Sequence, residues 1–196
     1  MVLPDFSIFL VYVFLTTFTP GPNNLMSLSN ATRYGFKKSL KFNYGVFVGF
    51  LIILILSMLF SVTLYRVLPS VKPYMTAAGA IYILWLASKI LVSKPHTDNE
   101  PHKKSTSFSH GVLLQFLNPK GILYAITITS TFITPYYDNL FVIMGLTVFL
   151  AFVCLLSTCS WSLFGSFFQK VFFKHQKKIN ILMALSLVYC AVSLLI

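Results

Sequence analysis

The sequence predicts an all-α membrane protein with six transmembrane helices, and two observations favour this class. Of the 196 residues, 57% are hydrophobic and 10% are charged, whereas soluble domains contain about 45–50% apolar and about 25% charged residues. The apolar residues also gather into six stretches, each near the roughly 20 residues that cross a bilayer. A soluble enzyme would expose too much apolar surface, and disorder needs low hydrophobicity, so both classes are excluded.

Charged, polar or proline-containing runs separate the six stretches. The predicted spans are Phe6–Asn30, Phe42–Tyr65, Tyr74–Ser93, Gly111–Phe132, Leu140–Phe168 and Ile179–Ile196. The longest connection, Lys94–His110, is too short for a second domain. We therefore expect one transmembrane domain over residues 1–196, with half-repeats at about 1–93 and 111–196. The first residues lack a basic segment, so we expect no cleaved signal peptide.

The net charge of +11, from 15 Lys+Arg against 4 Asp+Glu, is explained by membrane topology. Twelve basic residues lie in or beside the first, third and fifth predicted loops, and two lie in the second. The twelve are Arg33, Lys37, Lys38, Lys41, Lys89, Lys94, Lys103, Lys104, Lys170, Lys174, Lys177 and Lys178, and the two are Arg66 and Lys72. The positive-inside rule places the twelve in the cytoplasm, so both termini face the periplasm. Contacts with anionic lipids are expected, and nucleic-acid binding is not.

Two polar breaks interrupt apolar spans. Their sequences are Thr19-Pro20-Gly21-Pro22-Asn23-Asn24 in the first span and Asn118-Pro119-Lys120-Gly121 in the fourth. Non-helical backbone at membrane depth is tolerated only where protein or a cavity satisfies it. Thr19 and Asn118 are favoured N-cap residues, and a proline follows each at the first helical position. We therefore predict two half-helices in each of these spans, with new N-termini at Pro20 and Pro119.

Both breaks are predicted to lie near the bilayer midplane. At about 1.5 Å per residue, each lies roughly 13–20 Å from the cytoplasmic boundary of a hydrocarbon core about 30 Å thick. Three predicted helices precede the basic central loop and three follow it, so the two halves enter the membrane with opposite orientation. Broken helices at corresponding places in two halves indicate a transporter's binding site. The predicted architecture is two three-helix inverted repeats with broken first helices.

The residues at the breaks suit a zwitterionic solute. New helix N-termini present unpaired N–H groups and partial positive charge, which favour a carboxylate. Lys120 adds a full charge inside a span, as a substrate ligand, as a lysine that snorkels, or as a cap on the C-terminal carbonyls of the preceding half-helix. Asn23, Asn24 and the carbonyls freed at the breaks suit an ammonium group. Four amide side chains can donate and accept hydrogen bonds, with helix capping as the alternative for the first two: Asn23, Asn24, Gln115 and Asn118.

Other polar residues are interpreted structurally. Asn43 lies beside Gly45 and Gly49, whose spacing favours close helix packing. Tyr124 is interpreted as a packing or interfacial residue. The three cysteines lie in apolar spans and give no disulfide framework. The four histidines lie in predicted loops without ligand spacing, so neither a metal nor a cofactor is expected. Acids lie at span ends or in loops, so no conventional proton relay is predicted.

The two breaks also resemble the motifs of a known family. Thr19-Pro20-Gly21-Pro22-Asn23-Asn24-Leu25, followed by Gly35, Gly45 and Gly49, resembles the hallmark of the LysE/RhtB family of amino-acid exporters. Gln115-Phe116-Leu117-Asn118-Pro119-Lys120 resembles that family's second motif, and the resemblance covers essentially the whole chain. Within the family the chain looks nearest the cysteine/O-acetylserine exporter branch. The resemblance implies bacterial inner-membrane export of amino acids or close derivatives, driven by an ion or proton gradient.

We therefore expect an exporter of small neutral amino acids that works by alternating access, not an enzyme. Cysteine and O-acetylserine are the first candidate substrates, and homoserine or threonine are alternatives. The predicted substrate-binding residues are Thr19, Pro20, Gly21, Pro22, Asn23, Asn24, Gln115, Asn118, Pro119 and Lys120. Expected partners are the amino acid and membrane lipids, with a homodimer left open. A channel, for which no filter is visible, and a thiol redox protein are less favoured alternatives.

Overall fold

A computed structural model describes residues 6–92, 106–169 and 174–195, without the side chains of 61–69, 71–72 and 194. Helices dominate these three ranges, which contain no strand, and the all-α prediction is confirmed. The helices are α1 Phe6–Phe18, α2 Pro22–Tyr34, α3 Phe36–Leu59, α4 Ser61–Leu91, α5 Phe108–Leu117, α6 Pro119–Ile128, α7 Leu140–Phe167 and α8 Gln176–Leu195. Helix α6 continues into a π-helical turn, Thr129–Ile133.

Three of the described helices contain segments long and apolar enough to cross a membrane. These segments are Phe36–Leu59, Pro73–Leu91 and Leu140–Phe167, and the bent pair α5–α6 makes a fourth candidate if it is one span. Helix α1, with 13 residues, is apolar but short. Large apolar side chains point outward, with Phe141 85% and Phe167 83% exposed, as expected where lipid is the solvent. The six-span count stays a prediction.

The second predicted loop is wrong. Residues 66–73 were expected to separate two spans, but they lie within α4, which runs from Ser61 to Leu91. The chain turns earlier, at Phe60, between α3 and α4. Because Arg and Lys are good helix formers, a helix can continue beyond its apolar segment, which here begins at Pro73. Two parts of the prediction lie outside the described residues: residues 93–105, which include the start of the third loop, and Lys170.

Glycines bring the helices around the candidate site into close contact. Gly45 of α3 lies against the Phe108 backbone of α5, and Gly111 of α5 lies in turn against Gly45. Gly165 of α7 lies against the Leu28 carbonyl of α2. None of these positions leaves room for a Cβ atom without a shift of the neighbouring backbone. Small residues at crossings allow backbones to approach closely, and this confirms the structural interpretation of the Gly-xxx-Gly spacing.

A buried polar cluster joins α2, α3 and α7. Ser27 Oγ donates to Asn43 Oδ1 (2.9 Å), and Asn43 Nδ2 donates to Ser162 Oγ (2.9 Å). Ser162 Oγ donates to the Ser27 carbonyl (3.2 Å). Asn43 is fully buried, and a buried polar network with satisfied members fixes the arrangement of its helices. Asn43 therefore positions α2, the helix that begins at the first break.

Candidate functional site

The first break separates α1 from α2. Helix α1 ends at Phe18, and α2 begins at Pro22 with Gly21 as its N-cap in an extended conformation (φ −170°, ψ 173°). The prediction of a helix start at Pro20, capped by Thr19, is therefore wrong. A residue that precedes proline is disfavoured from the helical region. Because Gly21 precedes Pro22, a helix cannot begin at Pro20 and continue through Gly21.

The second break separates α5 from α6 and has the predicted boundary. Asn118 is the N-cap, in an extended conformation (φ −97°, ψ 96°), and Pro119 begins α6. The chain bends by 69° between α5 and the segment Pro119–Ile133. The Asn118 side chain does not cap the helix. Its Nδ2 donates instead to Asn23 Oδ1 at the first break (3.1 Å).

Side chains from other helices satisfy the carbonyl end of α1. Asn24 Nδ2 donates to the carbonyls of Thr17 and Thr19, both at 2.9 Å. From α7, Ser157 Oγ donates to the Thr17 carbonyl (3.0 Å), and Trp161 Nε1 donates to the Phe18 carbonyl (3.2 Å). A helix end inside a membrane needs such partners because no water replaces them. The capping alternative therefore describes the contacts of Asn24.

Lys120 crosses from the second break to the first. Its Nζ donates to Thr19 Oγ1 (2.9 Å), the Thr19 carbonyl (3.4 Å) and the Pro20 carbonyl (3.3 Å). The ammonium group thus lies at the carbonyl end of α1, where the helix dipole is negative. The expected cap was on α5, the preceding half-helix, but the observed cap is on α1. Asp138 is the acidic residue in the part of the chain that the structure describes. Its side chain is exposed, and it lies beyond the π-helical turn.

A chain of amide hydrogen bonds links the two breaks to α3. Asn23 Nδ2 donates to Gln115 Oε1 (2.9 Å), and Gln115 Nε2 donates to the Val46 carbonyl (3.2 Å). Together with the bond from Asn118 to Asn23, this chain joins α2, α3, α5 and the start of α6. Gln115 is fully buried and both ends of its amide are paired. Gln115 therefore joins the two breaks to α3 through both ends of its amide.

A small pocket of about 40 Å³ lies between the two breaks. Six of the ten predicted site residues line it: Gly21, Pro22, Asn23, Asn24, Asn118 and Lys120. Thr19 and Pro20 instead line a neighbouring cleft with Lys120, Cys190 and other residues of α8. Gln115 and Pro119 line neither space.

Sequence reasoning missed several residues that line the pocket. They are Thr16, Thr17, Phe50, Gly121, Tyr124 and Cys154. Tyr124 follows Lys120 by four residues, which places both on one face of α6, so this signal was available. Nothing in the local sequence marks Phe50 or Cys154, because α3 and α7 bring them to the pocket from elsewhere in the chain.

Three residues that line this pocket have a buried polar atom without a backbone or amide partner, and the two hydroxyls among them pair at most with each other: Thr17 Oγ1, Asn118 Oδ1 and Tyr124 Oη. Buried polar groups are paired in the great majority of cases, and an exception indicates a missing water, ion or ligand. One of the three, Asn118 Oδ1, is an acceptor only, whereas the two hydroxyls can donate or accept. The pocket therefore offers unused hydrogen-bonding capacity in a largely apolar surrounding.

Sequence reasoning also missed how the second break is supported. Gly79 of α4 lies directly against the Pro119 ring, which occupies the space of a Cβ atom. Pro119 is buried between this glycine and the rest of the core. The rigid ring and the close backbone contact hold the start of α6 in place. Pro119 therefore shapes the site without lining it.

The two breaks together can hold both charges of an amino acid. Helices α2 and α6 begin at the pocket without a side-chain cap on their first N–H groups, which suits an anion. The Asn118 oxygen suits a donor such as an ammonium group. The freed carbonyls of the first break, which were expected to meet the ammonium, are already paired with Asn24, Lys120 and side chains of α7.

Comparison with known proteins identifies the family of the chain. The profile of the family described as LysE type translocator matches residues 14–196. The chain is 40% identical over 186 residues to cysteine/O-acetylserine efflux proteins of Escherichia coli (strain K12) and Shigella flexneri, with 95% of each chain covered. No solved structure matches it. With its membrane-spanning helices, this polytopic protein belongs to the LysE type translocator family.

Proposed function

We propose that this protein exports small neutral amino acids and their derivatives, with cysteine and O-acetylserine as first candidates. The observation that carries the proposal is the pocket between the two breaks, which has unpaired polar atoms on its wall. The relatives named above are efflux proteins for cysteine and O-acetylserine, which supports the same substrate class. Transport then uses alternating exposure of this pocket to the two sides of the membrane.

The substrate carboxylate binds at the uncapped starts of α2 and α6. Each start presents N–H groups without helical partners and a partial positive charge of about half a unit. Lys120 lies at the same place and supplies the full charge. The substrate ammonium donates to Asn118 Oδ1, an acceptor that no protein group uses. This assignment replaces the expectation that freed carbonyls of the first break bind the ammonium.

Lys120 keeps the pocket closed toward the neighbouring cleft and also binds the substrate. An ammonium group has three N–H donors, and Lys120 has three acceptors at Thr19 and Pro20. A carboxylate can therefore gain a bond from Lys120 only if the lysine releases one of these oxygens. Because Lys120 also lines the cleft beside α8, this release opens the boundary between the pocket and the cleft. Substrate binding and opening are thus coupled through one side chain.

The six-span inverted repeat is supported by the way the helices pack. Helix α3 packs on the second broken helix at Gly45, and α7 packs on the first at Gly165. Helices α3 and α7 also pack on each other, as do α4 and α8. These are the pairings expected if α1–α2, α3 and α4 are related to α5–α6, α7 and α8 by a two-fold axis. Both halves then form one transport domain.

The positive-inside pattern supports insertion in the bacterial inner membrane with both termini in the periplasm. Lys37, Lys38 and Lys41 lie at the start of α3, and Lys89 lies at the end of α4. In the proposed topology both of these helix ends are cytoplasmic. A homodimer stays a prediction.

Counterflow in liposomes tests the proposed function. Purified protein is reconstituted with unlabelled cysteine or O-acetylserine inside, and entry of labelled substrate is followed. A carrier is expected to show transient accumulation of label above its equilibrium level. Equilibration without overshoot would indicate a channel, and an absence of any flux for small neutral amino acids would refute the proposal. Lys89→Ala, outside the pocket, is the control variant.

A further inference from the structure

We propose that the hydroxyls of Thr17 and Tyr124 form a side-chain subsite that selects substrates with a short, uncharged, hydrogen-bonding side chain. This inference rests on the proposed function and adds a specificity determinant to it. Neither residue belongs to the two sequence motifs at the breaks. Both line the same pocket, and their buried hydroxyls pair at most with each other.

The position of the Tyr124 hydroxyl is fixed by its ring. The side chain is 6% exposed. Its ring stacks on Phe50, with centroids 5.7 Å apart and an interplanar angle of 7°, and contacts Tyr12 at 5.8 Å. Contacts on both sides of the ring hold the hydroxyl oxygen in place at the pocket wall.

The Thr17 hydroxyl does not pair with the backbone of its own helix. Asn24 and Ser157 both donate to the Thr17 carbonyl, which holds this residue at the end of α1. Threonine in a helix commonly pairs its hydroxyl with a carbonyl of the preceding turn, as Thr129 does with Ala125. Thr17 Oγ1 makes no such bond and lies beside the Tyr124 hydroxyl, so the two hydroxyls can bind a ligand together.

The distance along α6 separates this subsite from the groups that bind the substrate backbone. Tyr124 follows Lys120 by one helical turn, about 6 Å at 1.5 Å per residue. The charged groups of an amino acid at the break therefore leave its side chain near the two hydroxyls. Phe50 and Cys154 complete the wall of the pocket. An apolar side chain leaves the hydroxyls unpaired, and a cationic one is repelled by Lys120.

Transport competition between matched amino acids tests the subsite. Serine and cysteine are each compared with 2-aminobutyrate, which replaces the hydroxyl or thiol by a methyl group. Wild-type protein is expected to prefer the polar member of each pair by about tenfold or more, because a site with buried hydrogen-bonding groups rejects analogues that lack a partner. Tyr124→Phe and Thr17→Val are each expected to bring the ratio close to one, mainly through weaker binding of the polar member.

Tyr12→Phe is the matched control, because Tyr12 contacts Tyr124 in the same aromatic cluster but does not line the pocket. It is expected to keep the wild-type ratio. Tyr124→Phe is also expected to change the melting temperature little, since its hydroxyl pairs at most with the Thr17 side chain. Unchanged ratios in both subsite variants, or equal loss in Tyr12→Phe, would overturn the subsite. A marked fall in melting temperature would show that the hydroxyl bonds a structural water and would also overturn it. Wild-type protein that transports neither member of a pair would instead refute the proposed function.

Discussion

The two breaks differ in what they expose and in how they are held. The first leaves Thr19, Pro20 and Gly21 between its helices, and its carbonyls are paired with side chains from α2, α6 and α7. The second has Asn118 alone between its helices, and α4 supports it by backbone contact at Gly79. The first break therefore receives hydrogen bonds, whereas the second supplies Lys120 and an unpaired amide oxygen. Similar sequence signals thus produce one break whose carbonyls are paired and another that carries a charged side chain and an unpaired amide oxygen.

Removing the charge of the second break should have the largest effect. Lys120→Ala removes the contact that closes the pocket and a ligand of the carboxylate. Export is expected to fall about 30-fold or more, since losing one partner of a buried charge costs about 2–5 kcal/mol. Counterflow at matched protein content measures the change. Lys89→Ala, a lysine over the Trp85 ring at the end of α4, should keep wild-type export. Full export by Lys120→Ala would refute its assigned role.

Asn24 and Asn118 allow a direct comparison of the two breaks. Asn24→Ala removes two hydrogen bonds to the carbonyl end of α1 and should destabilise the protein by about 1–3 kcal/mol, a shift of several degrees in melting temperature. Asn118→Ala should change stability less but raise the half-saturating substrate concentration severalfold. Thermal unfolding in detergent and counterflow kinetics measure the two effects. The reverse pattern would exchange the roles assigned to the two asparagines.

The support of the second break can be loosened through α4. Gly79→Ala places a methyl group in the space of the Pro119 ring, and such overpacking costs about 1–3 kcal/mol. Gly145→Ala on α7 is the matched control, because no atom lies within 4 Å of its Cβ position. The control should be neutral or slightly stabilising. Equal melting temperatures for the two variants would show that α4 does not hold the break.

The smallest effect is expected at Cys190. Its Sγ lies 3.6 Å from the Pro20 carbonyl, which Lys120 already pairs, and a thiol is a weak donor. Cys190→Ala should change stability by about 0.5 kcal/mol or less and leave export within about twofold. Thermal unfolding of the purified protein measures the stability, and counterflow measures export. Loss of export on this change alone would favour the thiol redox alternative.

Local sequence patterns predicted much of the fold. Apolar length predicted helices over most of the spans, and an N-cap residue followed by proline predicted the start of α6 at Pro119. The same rule, applied to Gly21 and Pro22, would have placed the start of α2 correctly. The α4 error arose because charge marks where a helix leaves the apolar region rather than where it ends.

The site was predictable only in part. Six motif residues reach the pocket, because they lie in or beside the breaks themselves. Phe50 and Cys154 reach it through the packing of α3 and α7, which no local pattern encodes, whereas the spacing of Tyr124 from Lys120 was a usable signal. The pairing of Lys120 with the first break is a tertiary contact across 101 residues, and sequence alone could identify the charge but not its partner.

The central claim is that the two breaks together bind both charges of an amino acid. Ligand-induced thermal stabilisation tests it most directly, with cysteine, cysteamine, which lacks the carboxylate, and 3-mercaptopropionate, which lacks the ammonium. Only cysteine is expected to raise the melting temperature of the wild-type protein, and it should have no effect on Lys120→Ala. Equal stabilisation by cysteamine, or an unchanged response of Lys120→Ala, would contradict the claim.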